Sequence, residues 1–390
     1  MGEAYVVDAV RTPFGREGGA FEAVHPQDLA AVALAGLRER NGFDPTDVDD
    51  VLLGCVTPLG EQGLNIGRLA PMVAGWGDGV PGVQLDRMCG SSLQALTFAA
   101  GDIGAGFADV VVAGGVEHMT RVPMDSGIPT LGTDHGGQAF SQRYVEQFPV
   151  TTQWAGAERV AEQWDIPREV TDRLARDSQH RYGAAEKSGH YDGRLTPVTV
   201  EQDGEQTVVE HDEHPRPGTD LETLASLSLS FRSEGDGVVH PGNTAGVTDG
   251  ASAVLVASGR ACDRFGWEPN ARIVDVSLGT APVELMHTGS IPATKRVLVD
   301  NDLDVTDVDR FEVNEAFAPV VRAWLEETGA DWDRTNVWGG AIAHGHPLGA
   351  TGTALLGKLC DQLEVCNGRY GIATMCISFG QGIATLVERL

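Results

Sequence analysis

Short runs in which apolar and polar residues alternate recur in both halves of this chain. The stretch "YVVDAVRTPF" from residue 5 and the stretch "ARIVDVSLGT" from residue 271 share this alternation, which is typical of half-buried β-strands. Between such runs lie longer stretches with apolar residues every three or four positions, as expected of helices. The pattern therefore predicts an α/β protein.

The predicted elements occur twice in the same order, which indicates an internal duplication. The other matching pairs are "VDDVLLGCV" (48–56) with "VDRFEVNEAF" (308–317), "LDRMCGSSLQAL" (85–96) with "NVWGGAIAHGHPLGATGTALLG" (336–357), and "ADVVVAGGVEH" (108–118) with "YGIATMCISFG" (370–380). The first pair follows the helix-start signals "DPTD" and "DVTD". The second pair is predicted as a strand, a Gly-rich turn and a helix. A chance likeness between α/β units is the weaker interpretation, because the matches keep their order.

The last strand of the first unit is separated from the rest of that unit. In the second half "GQGIATLVERL" follows directly, whereas its counterpart "DGASAVLVASGR" begins only at residue 249. We therefore predict an inserted domain at 118–249, with helical periodicity at 155–187. The predicted duplicated units are 1–117, completed by 250–268, and 269–390, with helices on both sides of each sheet.

The charge of the chain is unusually acidic. Fifty-six Asp and Glu face 28 Lys and Arg, which gives a net charge of −28, and the only lysines are Lys187, Lys295 and Lys358. Such a surface keeps a protein hydrated and dispersed where salt screens ordinary repulsion. It predicts a halophilic protein over a merely acidic one, and it disfavours nucleic-acid binding because there is no basic stripe.

Composition also bears on the cellular setting. Forty-two per cent hydrophobic residues and 50 glycines are typical of a globular enzyme. The chain has no stretch of about twenty apolar residues, so we expect no membrane span. The N-terminus lacks the pattern of a secretory signal. Six cysteines without paired spacing do not suggest a disulfide framework. We therefore expect a cytoplasmic protein with no membrane partner.

Cys89 stands where a helix is predicted to begin, before Gly90, Ser91 and Ser92. The partial positive charge of a helix N-terminus favours a thiolate, so Cys89 is a candidate nucleophile. A small buried hydrophobic residue is the alternative.

The corresponding helix of the second unit follows a Gly-rich turn that contains His344 and His346. If the two units pack about a pseudo-twofold axis, His346 lies near Cys89, and an imidazole there would take the thiol proton and leave a thiolate–imidazolium pair. His344 is the competing histidine and is interpreted as structural.

Cys376 is placed at the end of a predicted strand, before Gly380 and Gly382, where α/β folds place catalytic groups. It is a candidate second acid or base. The remaining cysteines are interpreted as packing residues, namely Cys55, Cys262, Cys360 and Cys366. Because no closely spaced cysteine pair exists, we expect no metal site.

Asn314 and Glu315 interrupt an apolar run that leads into a predicted helix. Asn314 is a candidate to hold a water or to orient His346 beside a developing oxyanion. A simple cap on the following helix is the equal alternative.

Several motifs together make the chain resemble the thiolase family over essentially its whole length. They are "RTPFG" (11–15), "CGSSLQAL" (89–96), "GGVEHM" (114–119), "AERVAEQW" (157–164), "GNTAGVTDGAS" (242–252), "IPATK" (291–295), "NEAFA" (314–318), "GGAIAHGHPLGATG" (339–352) and "CISFGQG" (376–382). The resemblance implies a five-layered αβαβα core and an acyl-CoA acyltransferase that cleaves 3-ketoacyl-CoA or condenses two acetyl-CoA. The motif forms lean toward the 3-ketoacyl-CoA type.

The resemblance also implies a role for each site residue. Cys89 would carry the acyl group, His346 would activate it, and Cys376 would move the α-proton. Asn314, through a water, and His346 would stabilise one oxyanion, and the backbone N–H groups of Cys89 and Ser378 would stabilise the other. The residues implied to contact substrate are Arg216, Ala245, Gly246, Met286 and Phe317.

The resemblance further implies that CoA and acyl-CoA are substrates, that no cofactor is needed, and that the protein is a homodimer or homotetramer, with a small accessory protein as a further possible partner. Three departures from the family pattern concern CoA contacts and acyl preference: Ser378 and Phe379 replace glycines, Ala245 replaces a serine, and "QWAGAE" at 153–158 is unusual.

Two other functions compete at this stage. A ketoacyl synthase or hydroxymethylglutaryl-CoA synthase would also use an acylated cysteine, but would lack a cysteine equivalent to Cys376. A non-catalytic CoA-binding subunit would be expected to lack one of the four candidate catalytic residues, and all four are present.

Overall fold

Strands from both halves of the chain join in one ten-stranded sheet in the computed structural model, which describes residues 2–126, 139–202, 204–233 and 236–390. The strands are β1 (Ala4–Arg11), β2 (Gly15–Arg16), β3 (Asp50–Gly54), β4 (Val83–Leu85), β5 (Val110–His118), β6 (Val198–Gln202), β7 (Glu205–Val209), β8 (Thr248–Ser258), β9 (Ala271–Thr280), β10 (Arg310–Val313), β11 (Tyr370–Ile377) and β12 (Gln381–Arg389). Strands β6 and β7 form a separate hairpin.

Helices fill the segments between the strands. They are α1 (Pro26–Asn41), α2 (Ile66–Val73), α3 (Ser91–Ala105), α4 (Gln142–Gln147), α5 (Gln153–Gln163), α6 (Arg168–Lys187), α7 (Leu221–Ser226), α8 (Gly259–Phe265), α9 (Ser290–Asp300), α10 (Ala318–Thr328), α11 (Ala341–His344) and α12 (Thr351–Cys366).

The duplication predicted from the sequence is visible in the strand order. The first half runs β3-β5-β8-β1 and the second half runs β10-β11-β12-β9, so each strand has its counterpart in the same place. In the first half β3 and β5 are parallel, and β8 is antiparallel to both β5 and β1. In the second half β10 and β11 are parallel, and β12 is antiparallel to both β11 and β9. A short antiparallel pairing of β1 with β9, from Ala4 opposite Ile273 to Val6 opposite Ala271, joins the two halves.

Helices α3 and α12 form a central layer that packs against strands of both halves. Their buried leucines, among them Leu93, Leu96, Leu355 and Leu359, share one apolar cluster with residues of β5, β8 and β11. Helices α1 and α2 cover the outer face of the first half, and α9 and α10 cover that of the second. The result is the predicted five-layered α/β core. No helix in the described ranges combines the length and apolar character needed to cross a membrane.

The segment between β5 and β8 is held to the core by a buried ion pair. Arg11, at the end of β1, bonds both carboxylate oxygens of Asp212 at 2.6 and 2.8 Å. Asp212 also accepts hydrogen bonds from the Phe14 backbone N–H and from the Tyr182 hydroxyl of α6. The "RTPFG" motif therefore contributes an anchor for the segment that follows β5.

Two expectations from the sequence differ from the structure. The strand predicted at the start of 336–357 does not form. Instead Trp338 stacks on His190, with ring centroids 4.3 Å apart, and its carbonyl oxygen accepts a hydrogen bond from Tyr191. The "DPTD" and "DVTD" signals begin only single 3-10 turns, Pro45–Asp47 and Val305–Asp307, because the strands β3 and β10 follow within a few residues.

Candidate active site

Cys89 lies in the tight turn between β4 and α3. Met88 has a φ of 48°, which is unusual for a residue with a side chain and marks a constrained turn. Gly90 caps α3, which begins at Ser91, so Cys89 stands two residues before the helix rather than within it. A Cβ on Gly90 would lie 2.5 Å from Ile377 Cδ1. Glycine at this position therefore lets the Cys89 turn approach the end of β11.

Asn314 joins the two other candidate groups. It is fully buried after β10, and its Nδ2 lies 3.3 Å from His346 Nε2 and 4.0 Å from Cys376 Sγ. Helix α10 is capped by Phe317, so Asn314 is not a helix cap, which was the alternative interpretation of the sequence. Its Oδ1 is buried without a partner among the described residues and fits the predicted water.

The hydrogen bonds of His346 define its tautomer. His346 Nδ1 lies 2.6 Å from Thr351 Oγ1, and the Thr351 hydroxyl donates its hydrogen to Pro347 O at 2.8 Å. Thr351 can therefore only accept from the ring, so the proton is on Nδ1. The lone pair of Nε2 then faces the Asn314 amide and is available to take a proton. Thr351 was not identified as a site residue from the sequence, and its only signal was its place five residues after His346.

The backbone before His346 needs glycine. Gly345 has a φ of 91°, and a Cβ there would lie 2.3 Å from Thr248 Oγ1. The same hydroxyl accepts a hydrogen bond from the His346 backbone N–H at 2.9 Å. Thr248 begins β8, so the first unit holds the loop that carries the histidine of the second.

Burial keeps the resting site uncharged. It raises the pKa of the Cys89 thiol well above its usual value, with a further contribution from Cys376, and raises the pKa of Cys376 to about 12. Burial lowers the pKa of His346 to about 3, and the neighbouring His287 adds to this shift because two imidazolium charges would repel each other. Burial thus favours the neutral thiol and the neutral imidazole over the thiolate–imidazolium pair, which stays a prediction of the sequence.

His344 lies on the far side of the Gly345 turn. Its Nδ1 is 2.9 Å from the Gly345 carbonyl oxygen, and its ring packs edge-on to Phe14 at 5.7 Å. It makes no described contact with Cys89 or Cys376, in keeping with the structural interpretation of this histidine.

Comparison with known proteins identifies the family. The family model of the thiolase N-terminal domain matches residues 4–260, and that of the thiolase C-terminal domain matches residues 267–389. The chain belongs to the thiolase family. It is 44% identical over 397 residues to a steroid 3-ketoacyl-CoA thiolase of Mycobacterium tuberculosis, covering 100% of this chain and 95% of that protein. It is 42% identical over 403 residues to a β-ketoadipyl-CoA thiolase of Escherichia coli, covering 100% of both.

Solved thiolase structures share the whole fold. The human mitochondrial 3-ketoacyl-CoA thiolase superposes with a TM-score of 0.91 at 32% identity, covering 100% of this chain and 99% of that chain. The Bacillus anthracis acetyl-CoA acetyltransferase superposes with a TM-score of 0.92 at 34% identity, with the same coverage. The protein is therefore a thiolase-type acyl-CoA acyltransferase.

The residues that the thiolase resemblance assigned to substrate contact, and Ser378, which it assigned to an oxyanion, lie at different depths. Met286, Phe317 and Ser378 are buried, and Phe317 shares an apolar cluster with Cys376. Ala245 and Gly246 are half-buried in the loop that leads to β8, and Arg216 is exposed. Phe317 therefore packs beside Cys376, whereas Arg216 lies at the surface.

Glu117 is a buried residue that connects two loops near the site, and the sequence analysis did not single it out. It is fully buried at the end of β5 and accepts hydrogen bonds from the backbone N–H groups of Val56, Thr57 and Gly349. Burial raises its pKa to about 7, and these hydrogen bonds oppose the shift. Glu117 thus ties the loop after β3 to the turn before α12.

The other cysteines take no part in this arrangement. Cys55, Cys262 and Cys360 are buried in apolar clusters, as expected of packing residues. Within the described ranges no three His, Cys, Asp or Glu residues are grouped as metal ligands would be. That this thiolase needs no metal remains a prediction.

The contact between Thr351 and His346 generates a test. In Thr351→Val the Nδ1–H loses its buried acceptor, so the ring no longer has one favoured tautomer. We expect acetylation of Cys89 by acetyl-CoA to slow by about ten- to a hundredfold. The measurement is the rate at which the Cys89 peptide gains an acetyl mass increment. Thr351→Ser keeps the hydroxyl and should react at nearly the wild-type rate, so equal rates for the two variants would contradict this role.

Proposed function

We propose that this thiolase cleaves 3-ketoacyl-CoA esters with CoA, and condenses two acetyl-CoA in reverse, through an acyl group on Cys89. The observation that carries the proposal is the Asn314 amide, which lies between the His346 base and the Cys376 thiol. The names of the two relatives, a steroid 3-ketoacyl-CoA thiolase and a β-ketoadipyl-CoA thiolase, support cleavage of a 3-ketoacyl chain as the main direction.

The first half-reaction transfers the acyl group to Cys89. His346 Nε2 takes the thiol proton while the sulfur attacks the 3-keto carbon, and the bond between C2 and C3 then breaks. The released carbanion of acetyl-CoA takes a proton from the neutral Cys376 thiol. Because the pKa of Cys376 is raised to about 12 by burial, this thiol is protonated at neutral pH and can act as the acid.

The second half-reaction returns the acyl group to CoA. The proton on His346 first passes to the Cys376 thiolate, which restores both neutral groups. His346 then takes the proton of an incoming CoA thiol, whose sulfur attacks the acyl-Cys89 thioester. The leaving Cys89 sulfur recovers that proton from His346, and the cycle closes with no net charge left in the site.

Two sets of donors would stabilise the oxyanions. A water on Asn314 together with protonated His346 would serve one intermediate, and the backbone N–H groups of Cys89 and Ser378 would serve the other. In the second set, Cys89 lies two residues before α3 and Ser378 follows β11 directly.

We further propose that the protein is a homo-oligomer that pairs at the β4 edge. Strand β4 ends the sheet on this side, and exposed apolar residues surround it. They are Leu59, Leu64, Met72, Val73 and Val83, of which Leu64 is 90% exposed. An apolar cluster at an open sheet edge is a surface that proteins cover by association. A homodimer or homotetramer would bury it.

The acidic surface leads us to propose a cytoplasm of molar salt as the working environment. A net charge of −28 in a 390-residue chain produces strong self-repulsion at low ionic strength. The distance over which charges interact falls from about 10 Å at 0.1 M salt to about 3 Å at 1 M. Salt would therefore stabilise both the fold and any subunit contact.

Substitution of each of the two site cysteines should affect acylation and turnover differently. Cys376→Ala should still accept an acetyl group from acetyl-CoA, seen by mass spectrometry on the Cys89 peptide, but should not turn over because the carbanion has no proton donor. Cys89→Ala should neither be acylated nor turn over. Cys262→Ala, a buried cysteine away from the site, is the matched control and should retain both activities. Acyl label on Cys376 in the wild type, or near wild-type turnover by Cys376→Ala, would contradict the assignment.

Salt should raise both activity and thermal stability. Between about 0.1 M and 2 M KCl, we expect the thermal midpoint and the thiolysis rate to increase together, because screening removes repulsion among carboxylates. Differential scanning calorimetry and a steady-state assay at each salt concentration provide the measurement. Profiles that stay flat over this range would refute the halophilic interpretation.

The apolar residues near β4 should be needed for assembly. Light scattering in 2 M KCl should give a mass that is at least twice that of the 41.3 kDa chain. The double variant Leu64→Asp with Val83→Lys places charges in the proposed interface and should shift the mass toward the monomer. Val365→Lys, at an exposed position at the end of α12, is the control and should not. A monomeric wild type would overturn the proposal.

A further inference from the structure

His287 is a buried histidine beside the active site that the proposed mechanism does not use. It follows Met286, whose carbonyl oxygen accepts the Gly380 backbone N–H at 3.0 Å in the turn after β11. Its ring lies 5.1 Å from the ring of Phe317, and Phe317 packs in the same cluster as Cys376. The imidazole is therefore part of the apolar wall on the Cys376 side of the site.

The hydrogen bonds of His287 leave one ring nitrogen without a partner. Nε2 lies 3.3 Å from the backbone carbonyl oxygen of Gln153, which can only accept, so the ring proton is on Nε2. Nδ1 is then an acceptor, and it is buried with no hydrogen-bond donor among the described residues. Leaving a buried acceptor unpaired is costly, which indicates that a donor occupies this place in the working enzyme.

The ring is also held in a neutral form. Burial lowers the pKa of His287 to about 4, and a positive charge there would repel the protonated His346 that the reaction requires. His346 is the titratable group that interacts with it. The contacts with Phe317 and with the backbone of Gln153 bring no charge. The wall therefore presents a neutral acceptor, which attracts a hydroxyl group and disfavours a carboxylate.

We propose that His287 is a specificity-determining residue whose Nδ1 accepts a hydrogen bond from a hydroxyl group on the acyl portion of the substrate. This inference rests on the proposed thiolysis of 3-ketoacyl-CoA and narrows its substrate class. We therefore expect this chain to prefer a different acyl group from its relatives named as β-ketoadipyl-CoA thiolases. An adipyl chain ends in a carboxylate, which has no hydrogen to donate to Nδ1.

The test compares four acyl chains of equal length, which form three classes. They are 3-ketohexanoyl-CoA, its 5-hydroxy and 6-hydroxy derivatives taken as one class, and 3-ketoadipyl-CoA, each assayed for kcat/KM of thiolysis. The wild type should prefer at least one hydroxylated chain over the unsubstituted chain by about tenfold, since a site built around a polar contact rejects substrates that lack it. The carboxylated chain should be the poorest substrate.

Substitutions of His287 provide matched variants. His287→Phe keeps an aromatic ring but removes the acceptor, and the preference for a hydroxylated chain should vanish while thiolysis of 3-ketohexanoyl-CoA persists. His287→Asn places an amide oxygen near the position of Nδ1 and should retain part of the preference. His190→Phe, which alters a ring stacked on Trp338 away from the site, should leave the ratio unchanged.

The outcomes are distinguishable from a failure of the proposed function. If no 3-ketoacyl-CoA is cleaved, the proposed function itself is wrong. If 3-ketohexanoyl-CoA is cleaved but the wild type shows no preference for a hydroxyl group, the inference about His287 is overturned. An equal loss by His287→Phe on all substrates would also overturn it, because that result would mean a contact with the CoA portion or a structural role. A preference for 3-ketoadipyl-CoA would show that Nδ1 does not act as a neutral acceptor.

Discussion

The site depends on the close approach of two backbone segments that come from different halves of the chain. The turn that carries Cys89 meets the end of β11 at Gly90, where a side chain would collide with Ile377. Cys376 immediately precedes Ile377, so the same approach that admits no Cβ also brings the two thiols into one site. The duplication makes this possible, because α3 and α12 occupy equivalent places between the two halves and both begin at the centre of the molecule.

A second constraint follows from that central position, namely the burial of the reacting groups. Burial favours the uncharged form of each group, the thiols of Cys89 and Cys376 as well as the imidazole of His346. The amide nitrogen of Asn314 lies within reach of both His346 Nε2 and Cys376 Sγ. The burial that brings these groups together therefore also opposes a charge on any one of them.

The sequence predicted those parts of the molecule that depend on local pattern. Alternating apolar runs became strands β1, β5, β9 and β11, and the repeated order of elements became two halves with the same strand order. The candidate residues Cys89, His346, Cys376 and Asn314 stood out because glycines surround them or because they interrupt apolar runs. Contacts between distant segments of the chain have no comparable signal in the sequence. Thr351, Glu117 and His287 gain their importance from partners that only the fold brings close. The strand expected near Trp338 was replaced by packing against His190 and Tyr191, which follow α6.

The position of β8 has a consequence for how the chain folds. This strand lies between β1 and β5, where Ala4 pairs with Ser258 and Val110 pairs with Ala257, yet it is synthesised only after the whole inserted segment. Until β8 emerges from the ribosome, β1 and β5 each have an unpaired edge, and unpaired apolar edges associate with other chains. Contacts of such long sequence separation also form slowly. The late arrival of this central strand therefore leaves the nascent first half of this thiolase vulnerable to association through its unpaired strand edges.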